Sequence, residues 1–336
     1  MNTPKHNRRE FLGKAAAGMV AAGAPILWPD STLAKTGEMP MRTMGRSGEK
    51  IALAGLGGYH LGKAADEVTA IRIVRAAIDN GLTFMDNCWD YHDGKAEIWM
   101  GNALRDGYRK KVFLMTKIDG QTKPAAAKQI DECLKRLQTD VIDLMQFHEV
   151  IRPGDPDRIF GANGGMEAVL EARKAGKIRY IGFTGHKDPD IHLKMIETGL
   201  KHGLTFDAVQ MPLNLLDHHF KSFEKKVLPV LAKHGIGVLA MKPLAEGHIF
   251  KTQTVTATEA HHYVMNLPVS VVIAGIETTE RLDQALASAR TFKPLAKTEV
   301  AALLAKTAAP ARDGQLEPFK TSNLYDGTIH NPHWLG

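Results

Sequence analysis

The fold of this chain is decided by three apolar runs: LTFM at residues 82–85, VFLMT at residues 112–116 and VIDLMQF at residues 141–147. Each run has the length of a β-strand, and helical segments fill the gaps between such runs. Strands that are apolar on both faces are typical of a parallel sheet covered by helices. The three runs therefore predict three consecutive βα units.

Four polar residues stand at, or shortly after, the carboxyl ends of these runs. Asp86 and Tyr91 follow the first run, Lys117 follows the second and His148 follows the third. In a closed βα barrel the strand ends meet on one face, which is the face where such barrels carry out chemistry. A phenol, a cation, a carboxylate to hold the cation and an imidazole would meet there. The four residues predict a proton-donating site.

The same alternation of strand and helix continues along the chain. Five further strands are predicted at residues 51–56, 178–183, 208–211, 236–241 and 269–274. Helices are predicted at residues 66–80, 125–138, 165–175, 189–200, 220–234, 258–266 and 279–289. Eight repeats in about 250 residues match a closed barrel. We predict an α/β fold, a (β/α)8 TIM barrel over residues 40–310.

A doubly wound dinucleotide-binding sheet is disfavoured, because no Gly-x-Gly-x-x-Gly motif opens a helix after the first strand. The polar tail at residues 311–336 has two possible arrangements. It either folds back over the site or stays on the surface. Burial of Trp334 and Leu335 would favour the first arrangement.

Composition excludes some classes of partner. The chain has 336 residues, of which 44% are hydrophobic and 24% charged, as in one large globular domain. The net charge of +6 comes from scattered basic residues. Beyond residue 14 there is no Lys/Arg run of the nucleic-acid-binding type, and no aromatic residues are interleaved to stack bases. We therefore expect no nucleic-acid partner.

The N-terminus forms a separate segment. Residues 7–14 read NRREFLGK, an Ala/Gly-rich apolar stretch follows to residue 27, and TLA stands at residues 32–34. This layout resembles a twin-arginine export signal, cleaved after residue 34. The alternative is a basic amphipathic tail. We predict a signal peptide at residues 1–34, the twin-arginine export machinery as a partner and a periplasmic location. The apolar stretch is too short for a stable membrane span.

Several motifs, taken in order, resemble those of the aldo/keto reductase superfamily over roughly residues 40–290. FMDNCWDY at residues 84–91 is similar to the family segment F-D-T-A-x-x-Y. The other matching motifs are MGRSG at 44–48, TK at 116–117, DLMQFH at 143–148, GKIRYIG at 176–182, VQMPLN at 209–214, GIGV at 235–238 and PL at 243–244. The resemblance implies NAD(P)H-dependent reduction of a small carbonyl substrate, an aldehyde or a ketone.

The resemblance also implies a role for each residue of the proton-donating site. Tyr91 is the general acid, Lys117 and Asp86 are its partners, and His148 orients the carbonyl. Hydride transfer to a carbonyl leaves an alkoxide that must be protonated. A free tyrosine, with a pKa of about 10, is a reluctant donor near neutral pH. A nearby ammonium is expected to lower that pKa, and an imidazole can donate where negative charge grows.

At the nicotinamide end the implied cofactor residues depart from the family pattern. Gln210 is present, but the usual Ser-Asn pair is replaced by Thr184 and a glycine. His186 either supplies the missing donor or only packs. Met241 stands where an aromatic residue commonly covers the nicotinamide. Lys242 either contacts the pyrophosphate or the substrate, or extends to solvent.

At the phosphate end the implied residues are Gly275 and Arg281. A glycine permits close backbone approach, and the N-terminus of the following helix suits a phosphate. Arg281 matches the family arginine that meets the 2′-phosphate or stacks on adenine. Gly275, however, replaces a lysine common in NADP users, and Glu277 would repel a 2′-phosphate. The resemblance implies NADP(H) as the cofactor, with NAD(H) as the alternative.

Other classes of function remain as alternatives. A Schiff-base lyase would use Lys117 as its nucleophile. A non-catalytic, cofactor-loaded sensor or partner subunit would explain the altered carboxamide residues. A metal hydrolase is disfavoured, because the adjacent histidine pairs at residues 218–219 and 261–262 point their rings apart, and we expect no metal site. The two cysteines, Cys88 and Cys133, are not expected to pair.

Overall fold

The protein is described by a computed structural model that covers residues 37–336. The signal peptide predicted at residues 1–34 lies outside the described residues and stays a prediction. Within residues 37–336, no helix combines the length and the apolar character needed to cross a membrane.

Eight parallel strands close into a barrel, which confirms the predicted (β/α)8 fold. The described residues form ten strands, of which the last eight make the barrel: β1 (Met41–Thr43), β2 (Lys50–Ala52), β3 (Ala54–Gly57), β4 (Phe84–Asp86), β5 (Phe113–Ile118), β6 (Ile142–Phe147), β7 (Ile178–Thr184), β8 (Ala208–Pro212), β9 (Gly237–Met241) and β10 (Val271–Gly275). Strands β3 to β10 pair in chain order, and β10 pairs with β3 to close the barrel. All of these barrel pairs are parallel, so every carboxyl end lies on the same face.

Helices surround the barrel. They are α1 (Gly58–Leu61), α2 (Glu67–Asp79), α3 (Lys95–Ala103), α4 (Lys123–Leu137), α5 (Asp155–Phe160), α6 (Gly165–Lys174), α7 (Pro189–Lys201), α8 (Phe223–Lys226), α9 (Leu228–Lys233), α10 (Ala257–Asn266), α11 (Thr279–Thr291), α12 (Lys297–Ala311), α13 (Pro318–Thr321) and α14 (Gly327–His330). The single helix predicted at residues 220–234 is in fact two, α8 and α9. Pro229 stands in the first turn of α9, where its missing N–H costs least.

The core has two parts. A small cluster fills the barrel and includes Phe84, Phe113, Met115 and Leu239. A much larger cluster lies mainly between the strands and the surrounding helices. This arrangement matches the apolar runs in the sequence, since a barrel strand buries one face inward and the other against helices.

The predicted strand at residues 51–56 is divided between two sheets. Its first part is β2, which pairs antiparallel with β1, and its second part is the barrel strand β3. Met44 and Ile51, from this hairpin, join the cluster inside the barrel. The hairpin therefore covers the end of the barrel opposite the strand carboxyl ends, and periodicity alone could not separate the two short strands.

The C-terminal tail folds back over the barrel and is anchored by a buried cation. Lys320 Nζ donates to Asp217 Oδ1 at 2.7 Å and to Glu317 Oε2 at 2.9 Å. All three side chains are buried. At the end of the chain, the backbone N–H groups of Gln121 and Thr122 donate to the carbonyl of Leu335. Of the two arrangements considered for the tail, the structure has the folded-back one.

We predict that Lys320→Met lowers the free energy of unfolding by about 3–5 kcal/mol, because two buried carboxylates lose their cation. Denaturant unfolding monitored by circular dichroism measures the change. Lys306→Met is the matched control, since Lys306 pairs with Glu259 at an exposed site. That control is expected to cost less than about 1 kcal/mol. Equal effects of the two substitutions would contradict the anchoring role of Lys320.

Candidate active site

One cavity of about 480 Å³ opens at the carboxyl ends of the barrel strands. Every candidate site residue named from the sequence lines it: Asp86, Tyr91, Lys117, His148, Thr184, His186, Gln210, Met241, Lys242, Gly275 and Arg281. The closed barrel is the reason, because it brings eight strand ends, far apart in the chain, around one opening. Their roles remain predictions, but their placement in one site is observed.

The Lys117 ammonium is the most constrained group of the cavity. It is 1% exposed and forms an ion pair with Asp86. It also donates to the carbonyl of Asn87 at 2.6 Å and to Tyr91 Oη at 3.2 Å. Three acceptors thus take its three protons. An amine held in this way is not available as a nucleophile, which argues against the Schiff-base alternative.

Strand pairing places these partners. Asp86 ends β4 and lies beside Met115 of β5, two residues before Lys117. The backbone N–H groups of Asn87 and Trp89 donate to carbonyls of β5. The loop that carries Tyr91 is therefore tied to the strand that carries Lys117.

Burial dominates the acidity of Tyr91. Loss of solvent, together with the negative charges of Asp86 and Asp90, raises the pKa of Tyr91 well above its usual value. Any lowering of this pKa by Lys117 is therefore outweighed in this structure. Because Lys117 is already paired with Asp86, the negative carboxylate offsets much of the effect of the ammonium on the phenol. At neutral pH the phenol holds its proton.

His148 lies beside Tyr91 and among carboxylates. The two rings meet edge to face with centroids 5.7 Å apart. The Nδ1 atom of His148 lies 2.9 Å from Asp119 Oδ1 and 3.5 Å from Asp90 Oδ1. Burial by itself lowers the pKa of His148, but the charges of Asp90 and Asp119 outweigh it and raise the pKa to about 9. Since Nδ1 faces Asp119, the other ring nitrogen, Nε2, is left for a substrate.

Asp90, Asp119 and Glu149 were missed in the sequence. Burial raises the pKa of Asp90 to about 6, whereas no sequence pattern marks that residue. Asp119 stands two residues after Lys117 and Glu149 directly after His148, so both follow strand ends, and that position is the signal that could have found them. Asp326, Tyr325 and His330 come from the tail, and strand positions could not predict them.

Three of the predicted nicotinamide residues lie together. Gln210 Nε2 donates to Asp86 Oδ2 at 3.1 Å, which links this half of the cavity to the Lys117 site. Gln210 Oε1 is buried and has no hydrogen-bond partner in the described part of the chain. Thr184 Oγ1 lies 3.9 Å from the sulfur of Met241. The orphan amide oxygen and the adjacent hydroxyl could bind a carboxamide group.

The departures at residues 185 and 186 have a structural cause. A Cβ atom at Gly185 would lie 2.3 Å from the carbonyl oxygen of Val150, so no larger residue fits there. His186 is buried, and its Nε2 atom lies 2.8 Å from Asp326 Oδ1 in the tail. The ring therefore contacts the tail through Nε2.

Lys242 does not extend to solvent. Its ammonium pairs with Glu246 and lies 5.2 Å from the ring centroids of Phe319 and Tyr325. The side chain is 16% exposed. Lys242 thus joins the loop after β9 to the tail, and Glu246 already offsets part of its positive charge.

The phosphate end is more open. Arg281 is exposed in the first turn of α11, where Thr278 caps the helix through its side chain. Glu277 lines the same part of the cavity. A Cβ atom at Gly275 would lie 2.6 Å from the His60 ring, so a lysine there would require that ring to move. The position of the His60 ring therefore accounts for the absence of a lysine at residue 275.

Comparison with known proteins identifies the family. A sequence profile of the Aldo/keto reductase family matches residues 54–259. The chain belongs to the aldo/keto reductase family. The resemblance seen in the motifs is confirmed at this level, and twin-arginine export stays a prediction.

Curated relatives agree with this assignment. "Uncharacterized oxidoreductase YrpG" of Bacillus subtilis (strain 168) is 30% identical over 224 residues, covering 61% of this chain and 66% of the relative. Aldo-keto reductase YhdN of the same organism is 29% identical over 224 residues, covering 62% and 63%. The chain thus spans slightly less than two thirds of the length of these two relatives.

A solved structure agrees in fold. Aldo-keto reductase AKR11C1 from Bacillus halodurans, in its holo form, matches with a TM-score of 0.70. The match covers 83% of this chain and 100% of that chain at 23% identity. At this identity the likeness concerns the fold, an aldo/keto reductase barrel.

Proposed function

We propose that this protein reduces an aldehyde or a ketone with a nicotinamide cofactor and that Tyr91 donates the proton. The observation that carries the proposal is the hydrogen bond from Lys117 Nζ to Tyr91 Oη at the cavity wall. Because the tyrosine oxygen accepts this bond, the phenol proton is left to donate into the cavity. Membership of the aldo/keto reductase family supports the same reaction class.

Each residue of the site has a role in this proposal. His148 Nε2 donates to the carbonyl oxygen and stabilises the negative charge that develops there. Tyr91 transfers its proton to that oxygen as the alkoxide forms. Lys117 stabilises the resulting tyrosinate, and Asp86 keeps the ammonium in place.

The cavity fits a nicotinamide nucleotide. The buried, unpartnered Gln210 Oε1 and the Thr184 hydroxyl suit a carboxamide, and the N-terminus of α11 with Arg281 suits a phosphate. When bound, the reduced nicotinamide supplies the hydride. We propose NADP(H), held through Arg281, with NAD(H) as the alternative because Glu277 shares this part of the cavity.

We predict that Tyr91→Phe lowers kcat about 10²–10⁴-fold, the usual contribution of a general acid. Cofactor affinity should stay within about two-fold, because the substitution removes one oxygen and keeps the ring. Steady-state reduction of a panel of aldehydes and ketones, with fluorescence titration of NADPH, measures both.

Tyr180→Phe is the matched control, since its hydroxyl bonds to Glu49 at the opposite end of the barrel. Turnover by Tyr91→Phe at the wild-type rate would exclude Tyr91 as the acid. Cofactor binding by the wild-type protein without turnover of any carbonyl would instead favour the non-catalytic sensor.

We predict that Arg281→Ala weakens NADPH binding about 10-fold or more, the typical effect of losing a hydrogen bond to a charged group. NADH binding should change much less, because NADH lacks the 2′-phosphate. Arg290→Ala, on the same helix but bonded to Asn80, is the control. Equal losses for both nucleotides, or a wild-type preference for NADH, would overturn the NADP assignment.

We also propose that residues 1–34 direct export to the periplasm by the twin-arginine route, on the strength of Arg8, Arg9 and the apolar stretch after them. The double substitution Arg8→Lys with Arg9→Lys should leave the full-length precursor in the cytoplasm. Cell fractionation and immunoblotting measure this, and Lys14→Gln is the control. Unchanged export of the double variant would contradict the proposal.

A further inference from the structure

Four side chains with metal-ligating atoms converge beside the proton-donating site and share His148 with it. They are Cys88, Asp90, Asp119 and His148, and one ligand atom from each lies within 4.8 Å of all the others. Cys88 and Asp90 follow β4, Asp119 follows β5 and His148 follows β6. We call this group the CDDH cluster. It therefore joins three consecutive strand ends.

The CDDH cluster is incompletely satisfied by the protein. Asp119 is fully buried, and only its Oδ1 atom meets His148 Nδ1. Asp119 Oδ2 is buried without a hydrogen-bond partner among the residues that the structure describes, and Asp90 Oδ1 has no hydrogen bond there but lies 3.5 Å from His148 Nδ1. An unpaired carboxylate oxygen in the interior is costly, so Asp119 Oδ2 points to a ligand.

The charged groups next to the CDDH cluster do not neutralise its two carboxylates. The three protons of the Lys117 ammonium are taken by Asp86, Asn87 and Tyr91. Glu149, the next carboxylate, is occupied by the backbone and hydroxyl of the tail. Two carboxylates and a thiol thus surround a single imidazole. A divalent cation would bind the carboxylate oxygens and take the place of the protons of the Cys88 thiol and of His148 Nδ1, which are released to solvent.

We propose that the CDDH cluster is a zinc site. A thiolate, an imidazole nitrogen and two carboxylate oxygens form a set that Zn²⁺ binds in tetrahedral geometry, with bonds of about 2.0–2.3 Å. The sulfur and nitrogen donors disfavour Mg²⁺ and Ca²⁺, which take oxygen ligands. Donors of a tetrahedral site lie roughly 3.3–3.8 Å apart. The observed separations therefore require only small side-chain movements.

Zinc at this position would bind His148 through Nδ1, on the side of the ring away from the cavity. A metal on Nδ1 leaves Nε2 as the nitrogen that carries the proton and faces the cavity. It would also tie together the loops after β4, β5 and β6. The site does not rest on the proposed reductase activity, although the two share His148.

Metal binding to the whole purified protein tests the proposal. After dialysis against a chelator, Zn²⁺ and Co²⁺ are titrated separately, and bound metal is counted by mass spectrometry. We expect one equivalent of each and, with Co²⁺, the ultraviolet charge-transfer absorption of a cobalt–thiolate bond. Cys88→Ser should abolish that absorption, and Asp119→Asn should weaken zinc binding at least about 10-fold.

Cys133→Ser is the matched control, because Cys133 is also buried and free but lies outside the CDDH cluster. It should keep both the stoichiometry and the cobalt spectrum. Circular dichroism establishes that each variant folds, and if Cys88→Ser does not fold, the spectrum of the wild-type protein and the affinity of Asp119→Asn decide. Absence of the thiolate band in the wild-type protein, or its loss in Cys133→Ser, would overturn the proposal. These readouts need no carbonyl turnover, so they fail or succeed independently of the proposed function.

Discussion

The Lys117 ammonium, buried at the mouth of the barrel, is the constraint on which the site depends. A cation removed from water is tolerated only when charge and hydrogen bonds replace its hydration. Asp86, the carbonyl of Asn87 and Tyr91 supply them. Gln210 then bonds the second oxygen of Asp86 from the far side of the barrel. Satisfying one cation thus positions a phenol, a carboxylate and an amide within one cavity.

The same requirement fixes the strand register. Side chains on a strand alternate between the barrel interior and the helices, so a slip of one residue in β5 would turn Lys117 toward the apolar helix layer. There the ammonium would meet none of its acceptors. The paired register of β4 and β5 is therefore both a property of the fold and a condition for the proposed chemistry.

The tail makes the site a composite of the barrel and the C-terminal segment. Asp326 contacts His186, and Glu149 accepts from the backbone of Gly327 and Thr328. These bonds satisfy buried polar groups of the barrel with groups from the tail.

Departures from the family pattern also have causes in the surrounding structure. The carbonyl oxygen of Val150 leaves no room for a side chain at residue 185. Such causes lie in neighbouring elements and not in the motif itself.

The apolar runs, their spacing and the polar residues at their ends were enough to predict the barrel and its proton-donating residues, and the motif resemblance added the family and the cofactor-side residues of the cavity. Periodicity and strand-end position are local properties, and a closed barrel converts them into a common face. The sequence could not show that the hydrogen bond from Lys117 and the loss of solvent act in opposite directions on the pKa of Tyr91, nor that Asp90 and Asp119 lie against His148. Those outcomes depend on burial and on distances between residues of different βα units. Only the folded chain determines them, because electrostatic interactions weaken with distance in space and not with separation along the sequence.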